Sequence, residues 1–170
     1  MHPNALFAER FNVVPAVPVD ASGSGGLVLP AINLRDAVRA TLMVIKAAGT
    51  AGDDPTITVT QGDGITNAAL DNGKALTAIT RAHTKRHASA IPKTYTTETQ
   101  SAANTFTSTT LAEEKGVILI DFTPDMLDVD NGFFAIAASI ADVGTNAQLI
   151  AGAWIIESKM NPPLNAEANA

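Results

Sequence analysis

Along most of the chain apolar and polar residues alternate with a period of two, in runs rich in β-branched residues separated by Gly, Asn, Asp and Pro, and helical periodicity is nearly absent. Successive side chains of a strand point to opposite faces, so the pattern predicts an all-β domain. The clearest strand is Pro55–Gln61, where Ile57 and Val59 alternate with Thr56, Thr58 and Thr60 to give one dry face and one wet one. After it, Gly62-Asp63-Gly64 offers a tight turn, and Asn72-Gly73 offers a type I′ hairpin turn between Ile65–Leu70 and Lys74–Thr80. Further strands are expected at Phe11–Val17, Leu27–Leu34, Val38–Ala47, Ile91–Thr97, Asn104–Thr110, Val117–Phe122, Gly132–Ile140 and Ala147–Glu157. About eight to ten such strands point to a jelly roll or β-sandwich. Leu34–Ala48 carries a competing helical interpretation, because Ala37, Ala40, Leu42 and Met43 are good helix formers and Asn33 could cap them. The strand is preferred: Val38, Ala40, Leu42 and Val44 share one strand face, and Val44-Ile45 favours β.

The strand faces carry a second message. In Val117–Phe122, Ile118, Ile120 and Phe122 make one face, yet Val117 and Leu119 make the other face apolar too. Phe134, Ile136, Ala138 and Ile140 oppose Phe133, Ala135, Ala137 and Ser139, and Leu149, Ala151, Ala153 and Ile155 oppose Ile150, Gly152, Trp154 and Ile156. An antiparallel strand of a monomeric sandwich normally wets one face. The C-terminal third is therefore expected to form a subunit contact as well as core.

The ends differ from the middle. Pro3, Pro15, Pro18 and Ser22-Gly23-Ser24-Gly25-Gly26 suit an extended arm and link over residues 1–26, the sandwich is expected over 27–158, and Pro162-Pro163 marks a tail over 159–170. Deleting Met1–Ala21 is expected to leave a folded domain with weakened partner binding. Met1–Arg10 lacks the charged-then-apolar layout of a secretory signal, and the longest apolar stretches, Phe133–Ile140 and Leu149–Ile156, fall short of the roughly 20 residues of a spanning helix. Neither export nor a membrane span is expected.

Composition narrows the chemistry. The 170 residues contain no cysteine, which excludes disulfides, thiolate metal sites and a cysteine nucleophile. With 46% hydrophobic but only 5% aromatic residues, small aliphatic side chains dominate. The net charge of −6 argues against nucleic-acid binding, which needs clustered Lys and Arg. Gly73-Lys74 fails as a phosphate loop because Ala75 follows it and Ala68 stands where the first glycine belongs; Val28 breaks a dinucleotide fingerprint from Gly23, and Ser22 breaks a nucleophile elbow at Ser24. His83 and His87 would meet on a helix but not on a strand. Asp125, Asp128 and Asp130 before Asn131-Gly132 lack the closing glutamate of a calcium loop, where Ser139 stands, and suit turn capping. No catalytic, metal or cofactor residue is assigned, and no enzyme is expected.

One charged feature remains. Arg81, Lys85, Arg86 and Lys93 concentrate positive charge in an otherwise acidic chain, a pattern that is either a solvated loop or a guide for docking onto an acidic partner. Together with Val117, Leu119 and Phe133 from the two-sided strands, these are the candidate partner contacts.

In layout the chain resembles the small jelly-roll decoration, or cement, proteins of tailed-bacteriophage heads. The likeness is carried by Leu6-Phe7-Ala8-Glu9-Arg10-Phe11-Asn12-Val13-Val14-Pro15, the Thr-rich middle strands, and Met126-Leu127-Asp128-Val129 followed by Gly132-Phe133-Phe134. It implies a dimer or trimer that sits on the capsid surface and bridges major capsid subunits without doing chemistry, present in the host cytoplasm during assembly and using terminal arms for bridging. A head–tail or tail structural component and a carbohydrate-binding sandwich are the alternatives.

Overall fold

The computed structural model describes residues 7–20, 26–52, 54–87, 94–111, 113–141 and 148–159. The chain is all-β: two antiparallel sheets share one apolar core. After a single helical turn, α1 (Phe7–Arg10), the strands are β1 (Phe11–Pro15), β2 (Val19–Asp20), β3 (Leu27–Asn33), β4 (Ala37–Lys46), β5 (Thr56–Gly62), β6 (Gly64–Thr66), β7 (Ala69–Asp71), β8 (Lys74–Ala75), β9 (Ile79–Arg86), β10 (Thr96–Ala103), β11 (Thr105–Thr107), β12 (Gly116–Phe122), β13 (Ala135–Ile140) and β14 (Leu149–Ser158). Sheet A runs β1-β14-β4-β12-β9-β10, with β2 beside β14; sheet B runs β11-β5-β13-β3, with β8 beside β5; β6 and β7 form a separate hairpin.

The two sheets bury the faces that the alternation marks. Sheet A contributes Ala40, Leu42 and Val44 from β4, Ile118, Ile120 and Phe122 from β12, and Ile150, Trp154 and Ile156 from β14. Sheet B contributes Leu27, Leu29, Ile57, Val59, Ile136 and Ile140. Trp154 is fully buried, meets Phe122 edge-on with ring centroids 6.0 Å apart, and donates its indole N–H to the Pro30 carbonyl at 3.0 Å. That bond satisfies the one polar atom such a ring carries into the core, and ties β14 of one sheet to β3 of the other.

One expectation holds and several change. The contested segment is strand β4, paired on both sides with β14 and β12. The hairpin expected at Asn72-Gly73 closes earlier: Asn67 and Ala68, both at positive φ, join β6 to β7, while β8 returns to pair with β5. Alanine carries no sequence signal for left-handed backbone. Asn72 is also left-handed, and its amide donates to both Asp63 carboxylate oxygens. Of the strand expected at Ile91–Thr97, residues 91–93 lie outside the described residues, and β10 begins at Thr96. Phe11–Pro15, within the expected arm, pairs with β14 from Glu157 to Ala153 and places Val14 in the core. Deleting Met1–Ala21 therefore removes a sheet strand, so the folded domain it is expected to leave is also expected to melt at a lower temperature.

A carboxylate latch holds the loop between β11 and β12. Glu98 on β10 accepts hydrogen bonds from Ser108 Oγ at 2.6 Å, from the Thr109 N–H at 2.8 Å and hydroxyl at 3.1 Å, and from the Thr110 N–H at 3.3 Å. Partial burial disfavours the charged Glu98, yet the hydrogen bonds from Ser108, Thr109, Thr84 and Thr110 together outweigh it and hold its pKa below the ordinary 4.5. A depressed folded pKa gives stability that is complete above the unfolded value and is lost as pH falls through the folded value. Glu98→Gln is thus expected to be less stable than wild type by about 1–2 kcal/mol at neutral pH, in chemical denaturation, with the gap closing as pH falls through the lowered titration of the folded carboxyl. A gap that stays constant with pH would contradict the latch.

Candidate docking face

The outward faces of the two sheets differ sharply in chemistry. On sheet B, Thr56, Thr58 and Thr60 of β5 face out beside Ala137 and Ser139 of β13, and Thr105 and Thr107 of β11 continue the hydroxyl surface, which at its β3 edge ends in Val28, 71% exposed opposite Ser139. A hydroxyl face needs nothing but water. On sheet A the register builds apolar rows. Ala151, Ile45 and Val117 lie side by side across β14, β4 and β12, and Lys85 of β9 ends the row. The next row is Ala153, Met43, Leu119 and His83; in the third, Val13 and Ile155 give way to Thr41 and Asp121, whose side chains hydrogen-bond to each other, and the apolar surface ends there. Val13, Ile45 and Leu149 are 43%, 49% and 65% exposed, so among the described residues nothing covers these positions of the face, while Ala153 between its larger neighbours is buried. Large contiguous apolar patches are uncommon on isolated soluble proteins and mark contact surfaces. The two-sided strands β12 and β14 thus lie together in sheet A, whereas the second face of β13 belongs to the hydroxyl surface of sheet B.

At one end of sheet A, where β4 and β9 finish and β12 and β14 start, the face dips into an open depression of about 640 Å³. Its floor is Ile45, Val117, Leu149 and Ala151; Pro18 closes one side, and Lys85, Arg86, His87 and Lys115 stand around the other. Two backbone features shape it. Gly116 has no room for a side chain, since a Cβ there would lie 2.4 Å from the Lys85 carbonyl oxygen and 2.8 Å from the Leu111 side chain. His87 donates its backbone N–H to the Lys115 carbonyl at 2.9 Å, which fixes the spacing of the two rim residues. Beneath it Lys46 points inward, 3% exposed, and its ammonium donates to the carbonyls of Leu111 at 3.1 Å and Glu114 at 2.9 Å. Burial lowers the Lys46 pKa, against the opposing pull of Asp54, Glu113 and Glu114.

The expected contact residues divide between places. Lys85, Arg86 and Val117 line the depression, with Leu119 in the adjoining row. The basic residues sit on a strand rather than a loop. Arg86 pairs with Glu114 at 3.2 Å, and the Lys85 ammonium lies 5.4 Å from the centre of the Tyr95 ring. Arg81 faces outward on the same strand, about 13 Å from Lys85 by strand rise, opposite Thr99 on the edge strand β10. Lys93 lies outside the described residues. Phe133 is at the other end of the sandwich, next to Phe134, whose carbonyl accepts from the Leu34 N–H just before β4 begins; the Lys74 ammonium sits 4.1 Å from the Phe133 ring. Phe133 is therefore not part of the same patch. Lys115, a rim residue, carries no local signal in the sequence, because it follows Glu113-Glu114 and looks locally neutralised.

Two of the groups considered for metals have other partners. His83 Nδ1 and Thr97 Oγ1 are 3.2 Å apart across β9 and β10. Asp128 bonds Lys74 and Asn131, which hold its carboxyl below the usual range, and its N–H donates to Gln61 Oε1 at 2.9 Å. Among the described residues no cluster of three or more His, Asp or Glu could hold a metal ion, and no helix is long and apolar enough to cross a membrane. The chain matches no protein-family model, no curated protein and no solved structure.

Proposed function

We propose that this chain is a structural virion protein that binds the outside of a tailed-phage capsid and stabilises it by bridging major capsid subunits. The observation that carries the proposal is the open apolar face of sheet A, set against the hydroxyl face of sheet B. A sandwich with one wet and one dry outer face is built to lie with the dry face on another surface. The small, partly exposed side chain of Ala151 lets a flat partner come close, a use that needs no ligand pocket or reactive group.

The strand order supports the jelly-roll part of the proposal. Leaving aside β2 and β8 at the sheet margins and the separate β6–β7 hairpin, the orders β3-β13-β5-β11 and β4-β12-β9-β10 place eight successive strands in two four-stranded sheets, with β14 and β1 added at one side of the second. That interleaving is the one produced by two Greek keys wrapped together. The resemblance in layout to phage decoration proteins points the same way, and brings with it assembly as a dimer or trimer on the particle. A carbohydrate-binding role fits less well: the sole tryptophan is fully buried, so it offers no stacking platform.

Bound to an assembled shell and not to free subunits, such a protein shifts the equilibrium toward the shell by mass action. The test is co-sedimentation of the purified protein with undecorated heads. Saturable pelleting with the heads, and a raised temperature of head disruption, are expected; a protein that stays in the supernatant at all concentrations refutes the proposal. Light scattering of the free protein adds the oligomer test, for which a dimer or trimer is expected and a monomer at working concentration removes the oligomer from the account.

A further inference from the structure

We propose that the depression at the end of sheet A binds an extended acidic segment of a partner protein, with one or two apolar side chains on the floor and carboxylates at the rim. The proposal rests on the docking function above and names the chemistry of the partner at one point of the face. The floor, Ile45, Val117, Leu149 and Ala151, is entirely aliphatic, and two of these residues are about half or more exposed. The row from β14 to β9 crosses three inter-strand spacings, about 14 Å, which four or five extended residues span.

The charge pattern chooses the occupant. Arg86 is already paired with Glu114, whereas among the described residues Lys85 and Lys115 have no acidic partner. A chain of net charge −6 that leaves two ammonium groups unpaired beside an apolar hollow is complementary to a segment carrying both carboxylates and aliphatic side chains. A second copy related by a two-fold axis through the depression would bring the same cations against each other.

The experiment uses the full chain and a fluorescein-labelled peptide of about nine residues alternating Val and Glu, followed by fluorescence anisotropy. Peptides alternating Val with Lys and Ser with Glu test charge and floor separately. Binding of the Val–Glu peptide is expected to weaken about tenfold or more in Lys85→Glu combined with Lys115→Glu, and similarly for the Ser–Glu peptide on the wild type. It is also expected to weaken between about 50 and 500 mM salt. Both substituted lysines are surface residues, and an unchanged melting temperature will show that the variant is folded. Ile45→Ser, which keeps the cations, is expected to weaken the Val–Glu peptide alone. Equal binding of the Val–Lys peptide, an unchanged affinity in the double variant, or no binding of the Val–Glu peptide at millimolar concentration overturns the proposal. So does self-association that Ile45→Ser abolishes and that competes with the peptide, because the occupant is then a second copy. Heads that still bind the double-lysine variant with wild-type affinity defeat this inference and leave the capsid function standing; a peptide that binds as described while heads bind nothing does the reverse.

Discussion

Replacing Trp154 with alanine is expected to lower the unfolding free energy by about 3–5 kcal/mol, the largest stability loss of any single truncation in this core. Three effects add. The indole is fully buried between the sheets, its removal leaves a cavity that a closed sandwich of opposed strands cannot easily collapse, and Phe122 loses its edge-on partner. The Pro30 carbonyl also loses its donor. Trp154→Phe separates these effects: it restores most of the volume, leaves the carbonyl unpaired, and is expected to cost about 1–2 kcal/mol. Denaturant unfolding followed by circular dichroism measures both, since Trp154 is the only tryptophan and its fluorescence disappears with it. An alanine variant within 1 kcal/mol of wild type would mean that the sheets are not joined through this side chain.

The second large effect is on docking. Ile45→Glu combined with Leu119→Glu is expected to reduce association with heads by 100-fold or more while the melting temperature moves by only a few degrees. Ile45 is half exposed and Leu119 faces outward in the neighbouring row, so both carboxylates remain hydrated in the free protein. On docking they would be stripped of water against a partner surface, at a cost of several kcal/mol. Thr58→Glu on the hydroxyl face of sheet B is the matched control and is expected to leave association unchanged. If Thr58→Glu is the damaging substitution instead, the docking face has been assigned to the wrong sheet.

Much of this arrangement is legible in the sequence where the signal is local. Ile57 and Val59 between threonines announce β5, and the apolar second faces of Val117–Phe122 and Leu149–Ile156 announce strands with no wet side. What escapes is whatever depends on partners far away in the chain. The depression is assembled from the ends of β4, β9, β12 and β14, and nothing local in Lys115 or Leu149 signals that they share it. Phe133 shows the converse error: its neighbours in sequence look like a continuous two-sided strand, but the strand starts only at Ala135, and Phe133 turns aside to meet Lys74. The Glu98 latch is hidden for the same reason, because a glutamate among threonines on an edge strand looks solvated until the turn at Ser108–Thr110 is folded against it.

The central claim is that the outer face of sheet A lies on the shell. A reconstruction of heads saturated with this protein tests it most directly. The account predicts density for the sandwich at the joints between capsid subunits, with Met43, Leu119 and Val117 facing the shell and the threonines of β5 facing solvent. Density away from the shell, or a sandwich seated on its threonine face with Met43 and Leu119 in open solvent, would contradict it.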